Sequence, residues 1–266
     1  MYGKSEDRDD YQHVPRPLAA MARDLPDGHH IPPHRHRRHQ LLYGTTGAIT
    51  VTTPHGTWVV PATRAAWLPA GLAHAMTCAG AVALRTLYVD PAAAGHLTAA
   101  PAVVPVSPLL RELIDEATRI PVAYDPDGRD GALMRLLLLQ LAPEPLPALH
   151  LPAPGDAQLD EVCAAVRRDP GARWSTADLA ARAHLSPRGL HRRFTAATGM
   201  SPARWVQQAR LLHAVTLLAA GTPVTAVAGA LGYATPSAFT AMFRRTLGTT
   251  PSGYFTASTG PGDGAA

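Results

Sequence analysis

What most constrains this 266-residue chain is a repeat in its last hundred residues. Phe194 is followed, after four residues, by Gly199-Met200-Ser201-Pro202 and then by Trp205. Shifted by 49 positions the frame returns as Phe243, Gly248-Thr249-Thr250-Pro251 and Tyr254, with Ser186-Pro187 becoming Thr235-Pro236 and Leu190 becoming Phe239. Self-similarity at a fixed period means two copies of one supersecondary unit. Ser186 and Thr235 are N-cap acceptors, and the prolines after them are pre-shaped for a first helical position. The spacing therefore predicts two helices, one from Pro187 to about Thr198 and a twin from Pro236, stopped by Gly199 and Gly248. Ahead of the first, Ser175-Thr176-Ala177-Asp178 is a capping-box pattern opening a short helix with small Ala180 and Ala183, and His184-Leu185 is the turn. Ahead of the second, Thr222-Pro223 opens a helix through Val224, Val227, Ala228 and Leu231, and Gly232 supplies the positive φ of a tight turn. Each copy reads helix, short turn, helix, an arrangement whose second helix presents its N-terminal residues to a major groove.

The separation of the copies also has a physical reading. Trp205, Ala209, Leu212, Val215 and Leu218 fall near helical spacing between Pro202 and Ala220, with Gly221 as the stop. One connecting helix results, about 27 Å long at 1.5 Å per residue, to be compared with the roughly 34 Å between successive major-groove faces of B-DNA. Before the first copy, Leu159, Val162, Cys163 and Val166 form an i, i+3, i+4, i+7 stripe ended by Asp169-Pro170-Gly171, which makes Cys163 a packing residue. Charge is split along the chain. Residues 157–256 carry 11 Arg and Lys against 4 Asp and Glu, whereas the remainder carries 13 against 16, so the overall +4 hides a basic back and a slightly acidic front. That is the electrostatic footprint of a nucleic-acid-binding module, or else a solvated basic surface, and only the pattern separates the two.

The pattern resembles the DNA-binding domain of the AraC/XylS family of bacterial transcription regulators over about residues 157–256. The most specific part is Gly232-Tyr233, Phe239, Phe243-Arg244-Arg245, Gly248-Thr249-Thr250-Pro251 and Tyr254. The resemblance implies groove-facing residues at Arg188, His191 and Arg192 in the first recognition helix and at Ser237, Thr240 and Ala241 in the second. Many members carry Arg where this chain has Ala241, so the second helix offers bases only hydroxyls and a methyl, which discriminate less than a bidentate Arg on guanine. Leu190, Phe194, Phe239, Phe243, Trp205 and Tyr254 read as core rather than base-stacking residues. Arg244 and Arg245 follow an inward Phe and suit phosphate contact or plain solvation. The family further implies double-stranded DNA and RNA polymerase as partners, and an effector that alters how a homodimer places its DNA-binding halves.

In the front half, Gln40–Tyr43, Ala48–Thr53, Thr57–Val60, Ala65–Leu68 and Val82–Val89 are short β-favouring runs separated by Gly-containing turns, which argues a compact barrel or sandwich. Five of the 13 histidines crowd into residues 29–39. Gly28, His34, His36, Gln40 and Gly47 keep a spacing that resembles the first cupin motif, with Gln40 where Glu is usual. Pro69-Ala70-Gly71 and His74 resemble the second, with Cys78 in place of its usual Asn. Read as i and i+2 on a strand, His34 and His36 point to one face, and a hairpin brings Gln40 and His74 to the same cavity. Three neutral imidazoles and an amide oxygen are a ligand set for a divalent transition metal. The competing readings are a solvated basic edge over residues 33–39 and a pocket for a small molecule. His29, His30, His39 and His55 are given no role, and Trp58 and Trp67 are read as filling the interior.

Ser107-Pro108 starts a helix through Ala117, and a second runs from about Gly131 to Ala142, where Leu133, Leu136, Leu137 and Leu141 make one face and Leu138 and Leu139 widen it. Such a helix needs cover on two sides, one of them a partner chain. The Pro-rich stretch after Ala142 reads as a linker, and residues 1–17 and 257–266 as disordered tails. The expected fold is thus α+β in two domains: a cupin-like sensory β-barrel (18–142) with a helical dimerisation segment (about 107–142), a linker (143–156), and an all-α double helix-turn-helix (157–256). The expected function is a cytoplasmic, homodimeric, sequence-specific transcription regulator that senses a small molecule or metal. It is not an enzyme and has no membrane segment. The alternative is a metal-dependent cupin dioxygenase or isomerase, which explains His34, His36 and His74 but leaves the basic third without a task.

Overall fold

The computed structural model describes residues 5, 7–144 and 149–256. They divide into two compact units, residues up to 51 with 60–144, and 52–59 with 149–256. Among the described residues no helix is long and apolar enough to cross a membrane.

The N-terminal part holds β1 (Leu18–Leu25), β2 (His30–His34), β3 (His39–Gly44), β4 (Ala48–Thr53), β5 (Gly56–Pro61), β6 (Arg64–Leu68), β7 (His74–Ala79), β8 (Val82–Val89) and β9 (Ala102–Pro105), followed by α1 (Pro108–Ala117) and α2 (Arg129–Gln140). With β10 (His150–Pro152) the strands make two five-stranded sheets, β1-β8-β3-β6-β9 and β10-β5-β4-β7-β2. The first sheet is covered on both faces. Leu41, Tyr43, Trp67, Leu87 and Val89 pack with Leu110, Ile114 and Leu137 of the two helices, while Gln40, Leu42, Thr86 and Tyr88 turn to a cavity shared with the second sheet. Strand side chains alternate between faces, so a strand buried on both sides reads as an unbroken apolar run. That is why Gln40–Tyr43 is legible as a strand with no alternation in it.

Several expectations need correction. Residues 8–11 form a single 3-10 turn, with Tyr11 and Val14 buried and Tyr11 stacked on Tyr88 at 5.6 Å, so the stretch before residue 18 is no disordered tail where it is described. Residues 1–4, 6 and 257–266 lie outside the described residues. The stretch 143–156 contains β10, paired with β5 through Leu151 and Thr57; residues 145–148 of it are not described. In α2 the buried face is Met134, Leu137 and Leu138, joined by Leu141 just beyond the helix, while Leu136 and Leu139 are 42% and 73% exposed. His36 lies just beyond β2 rather than on a strand, and His30, to which no role was given, opens β2.

The second unit carries α3 (Ala157–Arg168), α4 (Thr176–Arg182), α5 (Pro187–Thr198), α6 (Pro202–Ala219), α7 (Val224–Ala230), α8 (Pro236–Leu247) and a last turn, α9 (Gly253–Thr256). Ser186 and Thr235 cap α5 and α8 by accepting from the amides of Gly189 and Ala238. Gly199 and Gly248 end these helices at φ 71° and 78°, which only glycine adopts without strain. The repeated core pair keeps one geometry, Phe194 edge-on to Trp205 at 5.9 Å and Phe243 edge-on to Tyr254 at 5.4 Å. The connecting helix α6 packs on α3, α4, α5 and α7, and its Arg210 donates to the carbonyls of Pro170 and Ala172. Cys163 is buried, as packing requires, and burial pushes its thiol up to about 12.

Candidate nucleic-acid interface and metal centre

Each helix-turn-helix exposes one face because the other is committed to the core. In α5, Leu190 and Phe194 are buried, which turns Arg188, His191 and Arg192 outward. In α8, Phe239, Met242 and Phe243 are buried, Ser237, Ala241, Arg244 and Arg245 are exposed, and Thr240 is half-buried. None of the side chains of Arg188, His191, Arg192, Arg244 and Arg245 makes a hydrogen bond or ion pair among the described residues. Neighbouring Arg193 differs: it pairs with Asp156 and donates to Gln158 at 3.0 Å, tying α5 to the start of α3. Arg193 and Arg210 are structural cations that spacing alone does not distinguish from groove-facing ones. The signal lay in Asp156, which also caps α3.

At the other end of the chain, the two sheets enclose a cavity of about 340 Å³. His34, His36, Gln40 and His74, the residues expected to converge, all line it, together with Met21, Ile31, Leu42, Met76, Leu84, Thr86 and Tyr88. Ligand nitrogens of the three histidines lie within 4.8 Å of one another. His34 Nδ1 meets the Pro32 carbonyl at 2.8 Å, and His74 Nδ1 meets the Leu72 carbonyl at 3.0 Å. Each bond places the ring proton on Nδ1 and leaves the Nε2 lone pair free, the outer-shell arrangement that orients metal-binding histidines. Among the described residues His36 has no hydrogen-bond partner at either nitrogen, and His74 Nε2 and the Gln40 amide oxygen are likewise buried without one. Buried polar atoms without partners are costly and rare. The donor set therefore fits a divalent transition metal.

Electrostatics favours the same state. Burial, reinforced by the neighbouring histidines, pulls the His36 pKa down to about 3, and burial pulls His74 down to about 4 against the opposing Leu72 carbonyl. His34 is lowered too, chiefly by burial. All three imidazoles are neutral near pH 7, as metal ligands must be. The reading of residues 33–39 as a solvated edge fails: side chains alternate, and His36, Arg38 and Gln40 are buried. Arg38 is held by the carbonyls of Val14 and Tyr88 and by Asp90, a structural role the sequence did not signal. His39, stacked on Trp67 at 5.0 Å, accepts from the Ala70 amide. Trp67 fills the core between sheet and helices, and Trp58 stacks on His150. Cys78 is buried, its thiol raised to about 11 by desolvation.

Comparison with known proteins extends both regions. The profile of the AraC-like ligand binding domain matches residues 20–169, and that of a helix-turn-helix domain matches residues 179–257. The chain is 31% identical over 223 residues to the HTH-type transcriptional regulator NimR of Escherichia coli, covering 84% of this chain and 81% of that protein. It is 33% identical over 125 residues to the HTH-type transcriptional regulator RipA of Corynebacterium glutamicum, spanning 47% of this chain and 37% of that one. Among solved structures, the DNA-binding domain of AdpA in complex with a target DNA is 38% identical over 38% of this chain and 91% of its own, with a TM-score of 0.36.

Proposed function

The chain belongs to the AraC family of transcription regulators, with a ligand-binding domain and a DNA-binding helix-turn-helix domain, and from this premise we propose how it reads DNA and what controls it. The helices α5 and α8 enter successive major grooves of one duplex. Arg188, His191 and Arg192 on α5 read base edges, Arg192 and Arg188 as bidentate donors to guanine. Ser237, Thr240 and Ala241 on α8 supply weaker discrimination through hydroxyls and a methyl, while Arg244 and Arg245 hold phosphates. The observation that carries this reading is the set of five side chains, four of them arginines, that make no hydrogen bond or ion pair among the described residues and lie on the outward faces of the two second helices. Their inward faces are fixed by the same aromatic pair.

Two copies of the chain meet through the helical pair, where Leu109, Leu136 and Leu139 are the exposed large apolar residues among those described. A small-molecule effector in the cavity between the sheets biases the arrangement of the two DNA-binding halves, which requires that it bind the two arrangements with different affinity. RNA polymerase is the partner through which transcription changes, and the protein works in the cytoplasm beside the DNA it reads. The enzyme reading draws on the histidines alone, and nothing in the comparisons favours it. Footprinting on the DNA flanking the coding region tests the proposal: two protected segments about one helical turn apart per DNA-binding domain are expected, and protection of a single groove segment refutes it. Replacing Leu136 and Leu139 together by Glu is expected to give monomers in light scattering; a native-like monomer before substitution removes the dimer.

A further inference from the structure

We propose that His34, His36, Gln40 and His74 hold a divalent transition metal in the barrel cavity and that the metal takes a small anionic co-ligand in place of solvent hydroxide, which makes the effector of this regulator an anion or an anionic chelator. The proposal rests on the regulator reading above only for the word effector. The metal half follows from the geometry: three imidazoles with ligand nitrogens within 4.8 Å of each other, two of them held in the Nδ1–H tautomer by backbone carbonyls, and unpartnered acceptor atoms on His36, His74 and Gln40. Imidazole and amide-oxygen donors suit zinc, cobalt, nickel and iron better than hard, all-oxygen cations.

The anion half follows from charge. Four neutral ligands leave the ion's full double charge inside a cavity with apolar walls of Met21, Ile31, Leu42, Met76 and Leu84. A buried charge is tolerated only when it is paired. A carboxylate at position 40 would supply that pairing from within the protein, but this chain has an amide there. The carboxylates that line the cavity are Asp7 and Asp9. The Asp7 side chain caps the 3-10 turn by accepting from the Asp9 amide, and Arg8 and Arg23, which line the same cavity, offset the two acidic charges. The missing negative charge must therefore come from outside the protein, from solvent hydroxide when the ion is alone and from an anionic ligand when one is bound. At about 340 Å³ the cavity lies near the low end of the range of small-molecule sites, which suits a small ligand.

The test uses full-length protein purified without a His-tag, titrated with Co²⁺ alone and then with Co²⁺ and azide, with the visible d–d absorption as readout. Stoichiometric binding is expected, with a spectrum that shifts when azide is added. His36→Gln and His74→Gln are each expected to weaken Co²⁺ binding by more than the roughly 100-fold that loss of an outer-shell partner can cost. Gln40→Glu is the informative variant because it adds a ligand charge rather than deleting one. It is expected to bind Co²⁺ more tightly than the unsubstituted protein and to lose at least about tenfold in azide affinity, since its own carboxylate already balances the ion. Absence of a one-to-one Co²⁺ complex, or its persistence unchanged in His36→Gln and His74→Gln, overturns the metal site. A Co²⁺ spectrum indifferent to azide, or an azide affinity unaltered in Gln40→Glu, overturns the anionic co-ligand. Footprinting on the same preparations reports DNA binding separately, so failure of the metal site is distinguishable from failure of the regulator reading.

Discussion

The two helix-turn-helix units share the frame of their second helices, its cap, glycine stop and aromatic pair, and differ in their first helices, turns and outward faces. Their second helices keep the 49-residue frame, Pro187–Thr198 against Pro236–Leu247, but their first helices are offset by 48, Thr176–Arg182 against Val224–Ala230. The second turn therefore holds one more residue, 231–235 against 183–186. The residue in the left-handed region is consequently His184 at φ 50° in the first unit and Gly232 at φ 74° in the second. A Cβ at Gly232 would lie 2.6 Å from the Gly171 carbonyl oxygen, so only glycine fits there. The first short helix has a reciprocal capping box between Ser175 and Asp178. The second is preceded by Pro223 and has no side-chain cap, contrary to the expectation that Thr222 opens it. Duplication has thus preserved what holds the second helix in place, the edge-on aromatic pair and the glycine stop, and released the outward face, the turn and the cap. Under the proposed function, similar scaffolds with different faces are expected to fold alike and to read DNA unequally.

The sharpest way to break that comparison is to attack the shared part. Phe194→Ala and Phe243→Ala are each expected to cost about 3–5 kcal/mol in urea unfolding, since both rings are fully buried; a large cost for one and a small cost for the other would show that the two cores are not equivalent. The outward faces come next. Arg192→Ala is expected to cost about 1–3 kcal/mol on the preferred operator and to relax base choice there, whereas Arg244→Ala weakens specific and random DNA alike and lowers the salt slope by about one. Identical behaviour of the two variants would end the proposed division between base reading and phosphate contact.

Smaller effects separate the caps and turns. Ser175→Ala is expected to lose about 1 kcal/mol, and Thr222→Ala close to nothing, because only the first residue accepts a helix amide; thermal unfolding of both variants decides. Smallest of all, His184→Gly is expected to raise stability by up to about 1 kcal/mol, as relief of a left-handed conformation outweighs the added freedom of the unfolded chain. A loss on that substitution would mean the His184 side chain carries a contact worth more than its backbone strain.

How much of this was legible varies with how local the cause is. The caps and stops of α5 and α8 were readable because Ser186, Thr235, Gly199 and Gly248 act on backbone groups a few residues away, whereas the Ser201 cap of α6 was not read. Strands β3, β4, β5, β6 and β8 were readable from composition, and β1, β2, β7, β9 and β10 were not. β1 is Leu-Ala-Ala-Met-Ala-Arg-Asp-Leu, with no strand preference of its own, and is extended because all eight residues pair with β8. β2 contains two prolines, which an edge strand tolerates, and β10 lies in a proline-rich stretch that argued against any element. At the candidate site, the convergence of His34, His36, Gln40 and His74 was visible as a spacing. The carbonyls that set the tautomers of His34 and His74, and the burial that keeps all three rings neutral, were not.

By itself, then, the sequence determined the duplicated helical unit, because helix periodicity, capping and turn chemistry act over a handful of neighbouring residues, while the groove-facing residues and the four cavity-lining residues were indicated by resemblance to known motifs. Tertiary structure alone decided which arginines are spent on the scaffold, which face of α2 is buried, how residues 7–14 and 150–152 join the fold, and that His36 has no hydrogen-bond partner at either nitrogen among the described residues. Those outcomes depend on groups distant in the chain that meet only when the sheets close and the helices pack.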